Sequence, residues 1–289
     1  MTEGRLMELY RWAKGELAAL PVDFPDTEAL LLCEHFFGID SRLALTLRAE
    51  EQPAPQAADA FAAAVKERQR RPLQYILGEW EFCGMSLAVG EGVLIPREDT
   101  MALVELAAQA LGEKRRARVL DLCAGTGAVA LGMSRILPDA EFVCAELSEE
   151  AMPYLRQNVL RYGEDRVEII KADVLRPSDY HSLLESGSFD AIVSNPPYIP
   201  TADIAGLSRE VRQEPSMALD GGDDGLEFYR VIASGWRDFL RPGGVLAVET
   251  GINQAEDVKR IFVRNRLSKI TSKRDFSGVE RAIVGTFCV

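Results

Sequence analysis

Apolar positions recur at helical spacing through the first 70 or so residues. Leu6, Leu9, Ala13, Leu17 and Leu20 share one face of a first helix. A second is signalled by Pro25-Asp26-Thr27-Glu28 at its start and Gly38 at its stop, with Leu30, Leu31, Cys33 and Phe37 between. A loop with two prolines, Gln52 to Gln56, precedes a third helix predicted from about Ala57 to Arg70, with Phe61, Ala62 and Val65 inward. Each is too short to be stable alone, which predicts a small bundle. From Pro72 to Pro96 the pattern becomes a loose alternation of Phe82, Leu87, Val89, Val93 and Ile95, punctuated by Gly78, Gly84, Gly90 and Gly92, as in a β-hairpin.

Beyond it, short β-rich runs alternate with helical patterns. Strands are predicted at Arg118–Leu122, Glu141–Glu146, Val167–Lys171, Phe189–Ser194 and Gly244–Glu249, and helices at Ser148–Tyr162 and Gly225–Leu240 among others. This alternation implies a parallel sheet with helices on both faces. The last runs, about Lys269–Lys273 and Glu280–Phe287, lie too close for a crossover and predict an antiparallel hairpin at the sheet edge. The expected organisation is a helical domain over 1–71, a β-hairpin linker over 72–97 and an α/β domain over 98–289.

Composition narrows the class. The chain has 289 residues, about two domains' worth, and is 47% hydrophobic and 27% charged, as globular chains are. No apolar run reaches the ~20 residues of a membrane span. Met1 to Trp12 interleaves charges with apolar positions, unlike a signal or transit peptide. Five scattered cysteines without a CxxC, and only His35 and His181, argue against zinc or a disulfide framework and for a cytoplasmic protein with reduced thiols. Asp and Glu outnumber Lys and Arg by 45 to 33, a net charge of −12, which disfavours gripping nucleic acid and suits a basic protein partner.

The first strand of the α/β domain runs into Asp121-Leu122-Cys123-Ala124-Gly125-Thr126-Gly127-Ala128-Val129-Ala130. Glycines in a strand-to-helix turn let a ligand approach the backbone. Gly125 to Ala130 matches G-x-G-x-x-A, the dinucleotide fingerprint. Glu146 ends the next strand, 21 residues after Gly125, where a carboxylate can accept both ribose hydroxyls. Asp173, after the third strand, can accept from an adenine amino group or serve as a helix N-cap. A nicotinamide dinucleotide and S-adenosylmethionine both fit these features. Asp121, in D-x-x-x-G-x-G, favours the latter, because that pattern looks like the cofactor motif of seven-stranded methyltransferases.

The fourth strand opens into Asn195-Pro196-Pro197-Tyr198. Consecutive prolines remove donors and fix the direction of their carbonyls. A planar NH₂ group can therefore donate to the Asn195 side chain and to the Pro196 carbonyl, with the Tyr198 ring over its flat face. Two acceptors would pull a conjugated nitrogen toward sp³ character and aim its lone pair at a methyl donor.

Further segments are Arg71-Pro72-Leu73-Gln74-Tyr75-Ile76-Leu77-Gly78, Leu94-Ile95-Pro96-Arg97, Glu214-Pro215, and Ala218-Leu219-Asp220-Gly221-Gly222-Asp223-Asp224-Gly225-Leu226. With these, the chain resembles, over essentially its whole length, the peptide chain release factor glutamine N5-methyltransferases, the HemK/PrmC family of class I S-adenosylmethionine-dependent enzymes. The resemblance implies a seven-stranded Rossmann-like domain, an N-terminal helical bundle that binds the release factor, and a connecting β-hairpin. It implies methyl transfer from S-adenosylmethionine, leaving S-adenosylhomocysteine, to the Gln amide of the Gly-Gly-Gln loop of class I release factors, modulating translation termination. Asn195, Pro196 and Tyr198 would be catalytic, and Pro197 would join them in binding substrate. Asp121, Ala124, Gly125, Thr126, Gly127, Glu146, Asp173 and Asn195 would serve the cofactor. A monomer without metal, membrane or direct nucleic-acid contact is expected, with Arg97 helping to shape the site or forming a surface ion pair. The family's Pro-Arg-Pro-Glu-Thr-Glu is here Pro96-Arg97-Glu98-Asp99-Thr100-Met101, so Asp99 or Thr100 is expected to cap the next helix. Glu146 stands where Asp is common.

The nearest rival is a DNA or RNA adenine N6-methyltransferase, since adenine also presents a conjugated NH₂. Lys66-Glu67-Arg68-Gln69-Arg70-Arg71 and Lys114-Arg115-Arg116-Ala117-Arg118 would then grip phosphates, although such runs are more often solvated helix faces. A non-enzymatic adaptor and an oxidoreductase are the remaining alternatives.

Overall fold

A computed structural model of the chain describes residues 4–112, 114, 116–181 and 187–288. The chain divides into two compact units, one ending at Gly78 and the other beginning at Glu79. The first comprises helices α1 (Leu6–Ala18), α2 (Pro25–Phe37), α3 (Arg42–Leu47), α4 (Pro55–Glu67) and α5 (Leu73–Leu77). Leu6, Leu9, Ala13 and Leu17 of α1 meet Ala29, Leu32 and Cys33 of α2 and Phe61 and Val65 of α4 in one buried cluster. Gly38 stops α2 in the left-handed conformation. Helix α4 begins at Pro55 rather than Ala57, because proline's fixed φ suits a first helical turn. The two short helices α3 and α5 lack the length for a periodic signal.

Within this unit two cations of the first basic run are paired. Arg68 holds Glu28 through two bonds of 2.7 and 2.8 Å, and Arg71 pairs with Glu67 at 2.5 Å.

The second unit opens with the hairpin β1 (Glu79–Phe82) and β2 (Met85–Ala88), followed by α6 (Met101–Leu111). The predicted caps of α6 are absent: a 3₁₀ turn at Glu98–Thr100 leads into the helix without a side-chain cap. Next come β3 (Arg118–Leu122), α7 (Ala128–Ile136), β4 (Glu141–Glu146), α8 (Met152–Tyr162), β5 (Val167–Lys171), β6 (Phe189–Ser194) and α9 (Glu227–Ser234). The chain closes with β7 (Leu240–Glu249), α10 (Ala255–Arg264), β8 (Leu267–Arg274) and β9 (Glu280–Phe287).

The seven-stranded sheet has the order β5-β4-β3-β6-β7-β9-β8, with β9 antiparallel to both neighbours. Alternate residues of the central strands serve opposite faces. Val119, Phe142, Ala191 and Val193 pack beneath α6 and α7, while Leu120, Val143, Ile192 and Leu246 pack against α9 and α10. Pairing of β3 with both β4 and β6 makes the C-terminal end of β3 the point where strand order reverses. Open α/β sheets bind ligands there.

Two predicted helices are shorter than the sequence suggested. Helix α8 starts at Met152, and Ser148 accepts the Ala151 N–H at 3.2 Å in the preceding turn. The helix predicted over Gly225–Leu240 ends at Ser234 and gives way to a 3₁₀ turn, Trp236–Phe239. Two cations of the second basic run are also engaged: Lys114 pairs with Asp190 at 2.5 Å, where Arg241 of β7 joins it at 2.9 Å, and Arg118 lies over the Phe189 ring. Arg115 of that run lies outside the described residues.

A buried amide ties the hairpin to the ligand-binding edge. Asn158 of α8 accepts the Ala88 N–H at 2.7 Å and donates to the Ala88 and Thr126 carbonyls at 3.1 and 3.0 Å. Replacing it leaves those buried backbone groups unpaired. Asn158→Ala should therefore lower the unfolding free energy by about 2–4 kcal/mol, read as an earlier urea midpoint. An unchanged midpoint would contradict this account.

Candidate active site at the strand ends

The turn after β3 is built from left-handed backbone: Cys123, Gly125 and Gly127 have φ of 59°, 55° and 81°. A side chain at position 127 would also bring its Cβ to 2.9 Å from Leu155. Two acidic side chains hold this turn. Asp121 accepts the Ala130 N–H of α7 at 3.0 Å. Glu146 accepts the Gly125 N–H at 2.7 Å with one oxygen, and the Leu147 and Ser148 N–H groups at 2.8 and 2.7 Å with the other.

Burial pushes Asp121 up to about 8, against the pull of the Ala130 N–H and with a push from Glu146, which favours its neutral form. Its second oxygen is buried without a hydrogen-bond partner among the described residues. Burial also raises the Cys123 thiol, with Glu146 adding to it, which makes Cys123 a poor nucleophile.

Asp173 follows β5. Its carboxylate accepts the Leu175 N–H at 2.9 Å, and its own N–H donates to the Tyr180 hydroxyl at 2.7 Å. Asn195 follows β6 and donates to the Thr100 hydroxyl at 3.3 Å, while its Oδ1 takes no hydrogen bond from the described residues.

A cavity of about 410 Å³ brings these residues together. Ala124, Gly125, Thr126, Glu146, Asp173, Asn195 and Pro197 line it, with Arg97 and Thr100. Asp121 and Gly127 support the wall from behind, and Pro196 and Tyr198 are not part of the lining. Pro196 is buried, and the Tyr198 hydroxyl turns toward Glu249 at 3.5 Å.

The Asn195–Tyr198 segment is clamped from outside. Gln254 donates to the Tyr198 carbonyl at 2.8 Å and to the Gly225 carbonyl at 3.3 Å. A side chain at Gly221 would crowd the Tyr198 Cα at 2.7 Å, and one at Gly225 the Tyr198 carbonyl oxygen at 2.4 Å. Those contacts account for glycine at both positions. Glu214, buried and raised by burial despite Arg97, accepts the Ile95 N–H at 3.0 Å and pairs with Arg97. Arg97 is thus both a cavity-lining residue and an ion-pair partner.

Thr100, read from the sequence only as a helix cap, and Glu249 and Gln254 join the site through contacts to Asn195 and Tyr198. Glu249 carried a usable signal, being a carboxylate at the C-terminal end of a strand beside β6. Thr100 and Gln254 carried none, because their partners are distant in sequence.

Comparison with known proteins agrees with this architecture. The family described as PrmC N-terminal domain matches residues 8–78, and that described as methyltransferase small domain matches residues 101–211. A release factor glutamine methyltransferase of Geobacter sulfurreducens is 40% identical over 276 residues, covering 95% of this chain and 94% of that protein. One of Moorella thermoacetica is 40% identical over 255 residues, covering 86% and 88%. The structure of a methyltransferase from Pyrococcus furiosus matches with a TM-score of 0.50 at 17% identity, over 71% of this chain and 90% of that one, and speaks to the fold. With its helical unit, its seven-stranded sheet and near full-length identity of this order, the chain belongs to the release factor glutamine methyltransferase family.

Proposed function

We propose that this enzyme transfers a methyl group from S-adenosylmethionine to the side-chain amide nitrogen, N5, of the glutamine in the Gly-Gly-Gln loop of class I release factors. The observation that carries this reading is Asn195, whose carboxamide faces a ligand-sized cavity with its acceptor oxygen unengaged. Such cavities span ~300–1,000 Å³ in small-molecule sites.

The residues present suit S-adenosylmethionine. Gly125 and Thr126 offer backbone at the switch point, and Glu146 and Asp173 offer carboxylate oxygens on the cavity wall for hydroxyl and amino donors. Ala124, Gly127 and Asp121 shape the turn that carries them. When bound there, S-adenosylmethionine supplies an electrophilic methyl on a sulfonium. The protein's task is then to improve a poor nucleophile, because an amide nitrogen's lone pair is delocalised into its carbonyl.

Asn195 Oδ1 accepts one amide hydrogen at the cavity wall and the Pro196 carbonyl, outside the lining as it stands, accepts the other once substrate enters; Pro197 walls the pocket, and Tyr198 supports this segment from outside the lining. Acceptors in fixed positions pay no reorganisation as charge develops on the nitrogen. The N-terminal domain, residues 1–71, and the hairpin region, 72–97, position the release factor while its loop enters. The enzyme acts as a cytoplasmic monomer without direct contact to nucleic acid. Among the described residues, no helix is long and apolar enough to cross a membrane.

Mass spectrometry of release factor incubated with the enzyme and S-adenosylmethionine tests this reading. One added methyl on the Gly-Gly-Gln glutamine is expected, and transfer to adenine in DNA or RNA instead would overturn it. Asn195→Ala should lower kcat by about 10²–10³-fold with little change in S-adenosylmethionine affinity. Full activity of that variant would remove Asn195 from the mechanism. Glu146→Gln replaces an acceptor oxygen with a donor against backbone N–H groups, so S-adenosylmethionine binding should weaken about 10–100-fold by calorimetry. Unaltered affinity would show that Glu146 holds neither the turn nor the ligand.

A further inference from the structure

Resting on the reading of Asn195 as the group that holds the substrate amide, we propose that Arg281 and Asp99 form a strut that fixes the Thr100 hydroxyl, and through it the Asn195 carboxamide, for methyl transfer. Both are positioning residues, and neither lines the cavity. Arg281 lies on β9, two strands away from β6 in the sheet.

The Asn195 side chain leaves the end of β6 and takes its hold from another segment. Its Nδ2 donates to the Thr100 hydroxyl at 3.3 Å. A hydroxyl orients an amide only as well as its own backbone is placed. Thr100 closes the 3₁₀ turn before α6, donating its N–H to the Arg97 carbonyl at 3.1 Å. No side chain caps that turn or the helix after it. The Asp99 carboxylate, the neighbour of Thr100 in the turn, pairs instead with Arg281 at 3.1 Å.

Arg281 is itself fixed on two sides. The residue is buried, and its main-chain carbonyl accepts the Thr250 N–H at 2.8 Å. Its Nη1 donates to the Thr250 carbonyl at 3.3 Å, and its Nε to Asp275 at 3.1 Å. Asp275 is held in turn, accepting the Ser277 and Val279 N–H groups at 2.9 Å each. A guanidinium presents its donors in a rigid planar fork, so with Nε and Nη1 committed the direction of Nη2 is set. It reaches Asp99, which anchors the turn to the end of the sheet. The Asp99 side chain is 40% exposed, and an ion pair so exposed adds little to stability. Its effect is on place, to which a group aimed at a reacting atom is far more sensitive than the fold is.

The test measures kcat for methyl transfer to full-length release factor, KM for S-adenosylmethionine and the urea midpoint. The proteins are the wild type, Asp99→Ala, Asp99→Glu, Thr100→Val, the Asp99→Ala/Thr100→Val double variant, Arg281→Lys and Asn195→Ala. Asp99→Ala should lower kcat about tenfold, with KM for S-adenosylmethionine within about twofold of wild type and the midpoint little changed. Asp99→Glu keeps the carboxylate and should retain most of the activity. Thr100→Val should lower kcat at least as far as Asp99→Ala does. Because Asp99 acts through the Thr100 hydroxyl, adding Asp99→Ala to Thr100→Val should change kcat by no more than about twofold. Arg281→Lys, which keeps the charge and loses the fork, should match Asp99→Ala; should it fail to fold, the Asp99 and Thr100 variants decide alone. Wild-type kcat in Asp99→Ala, or losses that multiply in the double variant, beside an inactive Asn195→Ala, would overturn the strut and leave the assignment of Asn195 standing. A fully active Asn195→Ala would overturn both.

Discussion

The bond on which the site depends is the one between an acidic side chain and a backbone N–H at the end of a strand. Parallel strands deliver their C-termini to one edge, and the turns leaving that edge expose amide donors that no ladder satisfies. Asp121 takes the Ala130 N–H, Glu146 those of Gly125, Leu147 and Ser148, Asp173 that of Leu175, and Glu214 that of Ile95. Each bond fixes a different turn of the cavity wall. The cavity's shape thus comes from acids acting structurally, and several of the same acids are the groups on offer to a ligand. A ligand hydroxyl approaching Glu146 meets a carboxylate already oriented by three donors, so little of its binding energy goes into ordering that side chain.

This double use explains why the site tolerates so little change in its backbone. The Asn195–Tyr198 segment has two prolines and few donors of its own, so its position is set by what surrounds it. Gln254 holds one of its carbonyls, Gly221 and Gly225 admit it at close range, and Thr100 holds the Asn195 side chain. Orientation of a single amide to within the tolerance of a methyl transfer is assembled from the turns before α6 and α10 and the loop before α9 together.

The central sheet was legible because apolar runs bounded by turn residues have only one economical arrangement when helices alternate with them. The predicted limits of β3, β4, β5, β6 and β9 match the structure, and those of β7 and β8 lie inside the observed strands. Helix starts were less legible. Pro55 at the head of α4 reads as loop in isolation, and the absent caps at Asp99 and Thr100 show a polar residue used elsewhere. The candidate site was legible where its chemistry is local, in the Asp121–Gly127 turn and the Asn195–Tyr198 run. It was not legible where partners meet across 95 residues, as Asn195 and Thr100 do. The basic runs show the same limit: Arg68, Arg71 and Lys114 are answered by Glu28, Glu67 and Asp190, and the proximity of Glu28 and Asp190 is announced by no local pattern.

Asp121 carries a consequence for the energetics of the whole molecule. Its carboxyl keeps a proton in the folded state up to about pH 8, whereas in an unfolded chain it would release that proton near its ordinary value of ~3.9. Between those two values the native state binds the extra proton, so this residue's contribution to stability declines as pH rises across that window. Denaturation at neutral pH therefore hands a proton to the buffer, and the heat absorbed on melting contains the buffer's own enthalpy of protonation. Two calorimetric scans at one pH, in buffers as different as phosphate and Tris, would return different apparent enthalpies for the same conformational event.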